Sequence, residues 1–277
     1  LSKGGFKRLK GSVLSVMLKG VCVGSTMMVP GVSGGSMAML LGIYDRLIYS
    51  VNSIRSGKSL LLLGTFSIGG FIGILLFSQP LLSLLERYPM LMLYFFMGAV
   101  GGGIPLMLKK AEVRRFSMPV LIWPAVGMLL VWILSLLPEA PVQAGLEMGL
   151  KETVFLIITG IAAAVALVLP GISVSYLLLV FGIYDGMILA LHGFHLPVLA
   201  PFGIGLLLGI FLSTKTLEHA MKHYPRPTYL MIFGFILASL AEIFPGVPEA
   251  NQMLLCCVLA GAGFFAVRSL SGLEDTA

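Results

Sequence analysis

Residues 30–48 read PGVSGGSMAMLLGIYDRLI, and residues 170–188 read PGISVSYLLLVFGIYDGMI. Pro-Gly, a serine and then Gly-Ile-Tyr-Asp recur at a constant offset of 140 residues. Further along, Gly73-Ile74 matches Gly209-Ile210, Tyr88-Pro89 matches Tyr224-Pro225 and Gly98 matches Gly234, all at an offset of 136. Similarity at a fixed offset is the mark of an internal duplication. The chain, 1–277, therefore reads as one domain built from two homologous halves, 12–137 and 152–271.

The composition says where such a domain resides. Of 277 residues, 58% are hydrophobic and 11% charged, and the mean hydropathy is +1.02. Soluble domains carry ~25% charged residues, so this surface is not one that water wets. The class is an all-α polytopic membrane protein. A cytosolic enzyme, a nucleic-acid binder and a secreted disulfide scaffold are excluded. Cys22, Cys256 and Cys257 all lie in apolar runs and read as small buried hydrophobes, with no disulfide framework.

A membrane crossing needs about 20 apolar residues. Six stretches qualify, at about 60–80, 90–108, 119–137, 197–214, 228–244 and 253–271. Regions 12–50 and 152–192 are also apolar, but Pro30-Gly31 and Pro170-Gly171 interrupt them. Each half of these regions reads as short for a full span. They read as re-entrant hairpins with their turns at mid-membrane depth, over the alternative of two ordinary helices and a tight turn. Irregular backbone at that depth is allowed only where it lines protein or a water-filled cavity.

Charge sets the orientation. With both termini cytoplasmic, Lys3, Lys7, Arg8, Lys10, Arg46, Arg55, Lys58, Lys109, Lys110, Arg114, Arg115, Lys215, Lys222 and Arg226 all fall inside. This satisfies the positive-inside rule. The basic start reads as a topology signal and not as a cleaved leader. Each half holds one hairpin and three crossings; three is odd, so the second half begins on the opposite face. The expected architecture is two inverted-topology repeats, the layout of secondary transporters. A duplicated bundle that transports nothing is the weaker alternative.

The two tips are the candidate ligand site. Each Pro-Gly turn precedes a helix N-terminus, whose free N–H groups and partial positive charge favour an anion such as phosphate. Ser33 and Ser36 flank Gly34-Gly35 in the first tip, and Ser173 and Ser175 flank Val174 in the second. The serines suit N-capping or ligand contact, and the glycines allow close approach. Gly-Ile-Tyr-Asp ends each second arm. Tyr44 and Tyr184 suit a membrane interface. Asp45 and Asp185, about twelve residues on, are expected ~18 Å from the tips, anchoring the hairpins by pairing with a cation. Arg46 has Gly186 as its counterpart, so only one mouth carries a phosphate-capturing fork, and it is expected to matter more than Lys58. Lys19 is expected to snorkel. His219 and His223, four residues apart beside Glu218, read as a solvated face, and no metal or cofactor is expected. Gly69, Gly70, Gly73 and Gly101–Gly103 read as close helix packing.

On the segments VPGVSGGS…GIYDRLI and LPGISVSY…GIYDGMI, and on the duplication through the whole chain, the sequence resembles the polyprenyl-phosphate transporter family (PopT type). The resemblance implies a bacterial inner-membrane flippase that returns undecaprenyl phosphate from the outer to the cytoplasmic leaflet, recycling the lipid carrier of peptidoglycan and other envelope glycans. Carried over by position, it implies a site of Pro30, Gly31, Ser33, Gly34, Gly35 and Ser36 with Pro170, Gly171, Ser173 and Ser175. The second motif departs from it at Val174-Ser175-Tyr176, where a more Gly/Ser-rich stretch is usual. The expected partners are the lipid itself, membrane phospholipids and a coupling cation, proton or sodium, with a homo-oligomer admitted. There is no GxxxxGK[ST] motif, so uphill movement needs an ion gradient. Two rivals remain: a membrane lipid-pyrophosphate phosphatase, disfavoured because no His, Glu or Arg adjoins either tip, and an ion or small-solute carrier.

Overall fold

The computed structural model describes residues 13–27, 33–113, 118–137 and 149–272. Among them the chain is entirely helical. The first half comprises α1 (Val13–Thr26), α2 (Gly34–Leu40), α3 (Tyr44–Asn52), α4 (Gly57–Arg87), α5 (Pro89–Lys110) and α6 (Met118–Ser135). The second comprises α7 (Leu150–Val168), α8 (Val174–Val180), α9 (Tyr184–His192), α10 (Leu196–His223), α11 (Pro225–Glu242) and α12 (Ala250–Gly272). Within α4, α5, α7, α10 and α12 lie five stretches long and apolar enough to cross a membrane, and the bent pair α8–α9 is either a broken sixth span or a re-entrant loop. The expected spans at 119–137 and 228–244 are helices of 18 residues each. This is a multi-pass membrane protein.

The hairpins differ from the expectation in two ways. The first arm of the second one, α7, has 19 residues, enough by length to cross. The second arms are not continuous helices. In the first half Gly42 takes φ +80°; its N–H bonds Met39 O and that of Ile43 bonds Ala38 O. In the second half Gly182 takes φ +68°, with Gly182 N–H on Leu179 O and Ile183 N–H on Leu178 O. Both are Schellman stops, which need a residue tolerant of left-handed backbone at the glycine position. Gly-Ile-Tyr-Asp therefore starts a new helix instead of ending a straight arm. Helices α8 and α9 meet at 114°. The estimate of ~18 Å from tip to Asp45 assumed a straight helix and is withdrawn with it.

Helix pairing recurs at the offsets of the sequence motifs. Helix α1 packs on α4 as α7 packs on α10, and α5 on α12 as α11 on α6. At Gly20 an added Cβ would strike Phe66 O, and at Gly160 it would strike Phe202 O. Gly69 abuts Met17 O, and Gly205 abuts Ile157 O. Gly98 against Ala260 is matched by Gly234 against Pro124, and Gly263 against Phe95 by Gly127 against Met231. Every partner in these pairs shifts by the same 140 or 136 residues as the sequence motifs. Between lipid-embedded helices, small residues let backbones approach and gain dispersion contact where no hydrophobic drive exists.

Burial breaks the equivalence. Residues Met37–Leu41, Ile43 and Tyr44 are all at most 4% exposed, so α2 and the start of α3 form the centre of the core. No residue of α8 is buried. Helix α2 packs on α5 and α3 on α10, whereas α8 makes no corresponding packing on α11, nor α9 on α4. One hairpin end is inserted and its twin is left open.

Candidate functional site

The two tips touch. Ser33 caps α2, with its hydroxyl oxygen accepting from the Ser36 N–H at 3.0 Å and lying 2.8 Å from the Ser36 hydroxyl. The same oxygen accepts the Gly171 N–H of the other tip at 3.1 Å. Gly171 sits at φ +83°, and a Cβ there would run into Phe235 O. A Cβ on Gly35 would lie 3.4 Å from Pro170 Cα. Tyr44 completes the junction by donating from its hydroxyl to Val168 O, two residues before Pro170. Pro30 and Gly31 lie outside the described residues. The structure thus brings Ser33, Gly35, Ser36 and Tyr44 together with Pro170 and Gly171.

Several expectations change here. Tyr44 is buried, not an interfacial anchor; it ties the halves together. Ser33, expected to cap or to contact ligand, does cap, and its oxygen also receives the Gly171 N–H of the other tip. Ser36 is buried beside it. Gly34 is half-buried in the first turn of α2, against the Met27 side chain. At the second tip Ser173 caps Tyr176 N–H at 3.3 Å, and both Ser173 and Ser175 are exposed. The Tyr176 hydroxyl reaches Leu137 O at 3.1 Å, fastening α8 to the end of α6. Tyr184 is half-buried and Asp185 exposed, unlike their counterparts.

Helix α3 is tied to the second half by two polar clusters. Asp45 Oδ2 accepts from Lys110 Nζ at 2.9 Å and from the Tyr229 hydroxyl at 2.7 Å. Its expected pairing with a cation is thus present. At the other end of α3, Asn52 donates to Glu218 at 2.6 Å and accepts from the Thr214 hydroxyl at 3.0 Å, while Lys222 bonds Glu218 in turn. Lys110, Tyr229, Asn52, Thr214 and Glu218 were not singled out as site residues by the sequence. The only hint lay in Lys110 and Glu218 as charges at span ends. His219 and His223 stack at 4.0 Å on the exposed side. Among the described residues no three His, Cys, Asp or Glu converge as a metal would need.

Two cations sit deeper than surface residues do. Lys19 is 1% exposed, which rules out snorkelling, and Arg46 is 8% exposed. Between α6 and α11, one helix from each half, lies an apolar crevice of about 580 Å³ bordered by Met128, Trp132, Ser135 and Glu242.

The tip geometry sets an unequal expectation for the serines. Ser33→Ala removes a cap and an inter-tip hydrogen bond, about 1–3 kcal/mol together. Ser173→Ala removes only an exposed cap, at most about 1 kcal/mol. Thermal melting of the purified variants checks this, with the Ser33 variant expected to melt well below the Ser173 variant.

The undecaprenyl phosphate translocase-like family (VCA0040-like) matches residues 23–255. A polyprenyl-phosphate transporter of Staphylococcus aureus is 34% identical over 84% of this chain and 86% of its own. A polyprenyl-phosphate transporter of Vibrio cholerae is 30% identical over 84% of this chain and 78% of its own. No solved structure matches significantly. These are names of transporters, not of enzymes, and with them the multi-pass helical fold and the joined tips find their context: the chain belongs to the undecaprenyl phosphate translocase-like family.

Proposed function

We propose that this protein is a flippase that moves undecaprenyl phosphate from the outer to the cytoplasmic leaflet of the bacterial inner membrane. A proton or sodium gradient drives it, and both termini face the cytoplasm. Its two halves act as inverted repeats, and the phosphate passes the joined tips while the tail lies in the crevice between α6 and α11. The observation that carries this reading is the pairing of equal contacts with unequal burial. Glycine contacts repeat at the duplication offset, yet the α2–α3 end is sealed and the α8–α9 end is open. Alternating access in inverted repeats works in this way: each half takes in turn the conformation its twin now holds. The present state is closed on the side of α3, which the Lys and Arg distribution makes cytoplasmic, and open toward the outer leaflet beside the crevice. Exchanging the two conformations would release α3 from α10 and α2 from α5, and seat α9 on α4 and α8 on α11.

The test is movement of a fluorescent polyprenyl phosphate in vesicles containing the purified protein, with dithionite quenching to count molecules in each leaflet. Protein-dependent, gradient-stimulated movement is expected. Movement no faster than in protein-free vesicles would contradict the function, and equal stimulation by any lipid would contradict the substrate.

A further inference from the structure

Among the described residues that line the crevice between α6 and α11, the Glu242 carboxyl is the one charged group. We propose that Glu242 binds the coupling cation, H+ or Na+, at the outer mouth of this crevice. The inference rests on the proposed function, and it names the residue through which a gradient acts on the lipid.

Three observations point to a cation. Ser135 and Glu242 are the last residues of α6 and α11 and border the same crevice, so the two helices run in parallel and end together. A helix C-terminus carries about half a negative charge and favours a cation. Glu242 is an acid where that dipole disfavours one, and among the described residues its carboxyl makes no hydrogen bond or ion pair. Its neighbours Met128, Leu129, Trp132 and Ala238 are apolar, and a charge in such a setting needs a counter-ion or a proton to neutralise it. The Ser135 hydroxyl donates to Trp132 O at 2.8 Å, which leaves its oxygen free to accept or to coordinate. Glu242 is exposed, so a cation can reach it.

Neutralising Glu242 bears directly on the lipid. A phosphate monoester brings about −1.5 to −2 charges, and an unneutralised carboxylate at the mouth repels it. Cation and lipid therefore favour each other's binding, as coupling requires. The elements around α11 place no second acid in the crevice. Helix α6 has no titratable group. From α5, Tyr94 lies on this side with its hydroxyl on Gly246 O, while Lys109 and Lys110 end that helix at the other face. Tyr176 of α8 bonds Leu137 O, just past α6. Helix α10 joins α11 at Tyr224, so Lys215, Glu218, His219, Lys222 and His223 lie toward the far end, as do Arg226 and Tyr229 of α11 itself. Glu249 lies beyond α11, just before α12. At the offset of 136, Glu242 corresponds to Leu106 and Trp132 to Arg268. The matching positions on α5 and α12 thus hold a cation and no acid, and the site has no twin.

Vesicles containing the purified protein test this, with fluorescent polyprenyl phosphate and an imposed H+ or Na+ gradient. The reading is the ratio of gradient-driven to gradient-free movement, which a merely structural role would leave alone. In wild type the ratio is expected to reach about tenfold, and the gradient that works tells H+ from Na+. Glu242→Gln, whose side chain is fixed neutral, should bring the ratio to about one. Glu242→Asp should restore part of it, and Glu249→Gln should keep it. A wild-type ratio in Glu242→Gln, or an equal loss in Glu249→Gln, overturns the site. A second measurement needs no transport: modification of the detergent-solubilised protein by dicyclohexylcarbodiimide, read by peptide mass. Near neutral pH Glu242 should react faster than Glu249 if it holds H+, or be protected by NaCl but not by choline chloride if it holds Na+. A Glu242 that reacts like Glu249 and gains no protection overturns the site. Wild-type protein in which Glu242 meets either expectation, yet which moves no polyprenyl phosphate, overturns the proposed function and leaves the site standing.

Discussion

Asp45→Asn is expected to open the side of the protein that α3 seals. Asp45 holds Lys110 at 2.9 Å and Tyr229 at 2.7 Å, joining α3 to α5 and α11. Asparagine fills the same space but leaves the Lys110 charge without its counter-ion. Breaking a fully buried pair costs ~3–5 kcal/mol and an exposed one under ~1. With Lys110 and Asp45 side chains 17% and 22% exposed, about 2 kcal/mol is the reasonable middle between those limits. That shifts a two-state balance ~30-fold toward the released state. A reporter cysteine at Thr214, in a background lacking Cys22, Cys256 and Cys257, reads the shift as a rise of tenfold or more in thiol labelling rate. Lys110→Met should act alike, and the double variant should add little, because the two residues share one interaction. Labelling at the wild-type rate in Asp45→Asn would remove the pair from the seal.

Lys19→Met is expected to abolish most transport without unfolding the protein. An ionisable group in the middle of a lipid-embedded helix opposes insertion by ~2.5–3.5 kcal/mol, and such groups persist where they act on substrate or ion. Lys19 lies on the buried face of α1, one turn beyond Val16, which lines a cavity with Arg46. Under the proposed function, Lys19 is a candidate to act on the phosphate or the coupling ion. Methionine keeps the length and the helix propensity. A fall of at least tenfold in vesicle transport is expected, with an unchanged gel-filtration profile and partial rescue by Lys19→Arg. Wild-type transport by the methionine variant would make Lys19 a packing residue.

The recurring offsets were legible because glycine contacts and Pro-Gly turns are backbone requirements, and backbone requirements leave residues at fixed spacings. Gly20 with Phe66 and Gly160 with Phe202 are one contact written twice. The break at Gly42 was harder to read. A glycine before Ile-Tyr-Asp can end an arm or cap a helix in left-handed backbone, and only the bonds from Gly42 and Ile43 back to Met39 and Ala38 show which. The ties of α3 were out of reach. Asp45 meets Lys110 across 65 residues and Tyr229 across 184, and no local pattern marks a partner so distant. The unequal burial of the two matching segments was equally hidden, since it depends on contacts with helices far along the chain. The capping role of Ser33 was legible from its place before Gly34-Gly35, but its bond to the other tip was not.

The most direct measurement locks the seal and watches the lipid. Asn52 and Thr214 side chains meet at 3.0 Å between α3 and α10, so Asn52→Cys with Thr214→Cys in the cysteine-free background places two thiols across the closed side. Fluorescent polyprenyl phosphate movement is then followed in vesicles, with the pair reduced, oxidised and reduced again. Movement is expected in the reduced protein, with arrest on oxidation and recovery with reductant, because α3 must leave α10 for the head to pass. Equal movement in the cross-linked and reduced protein would contradict it.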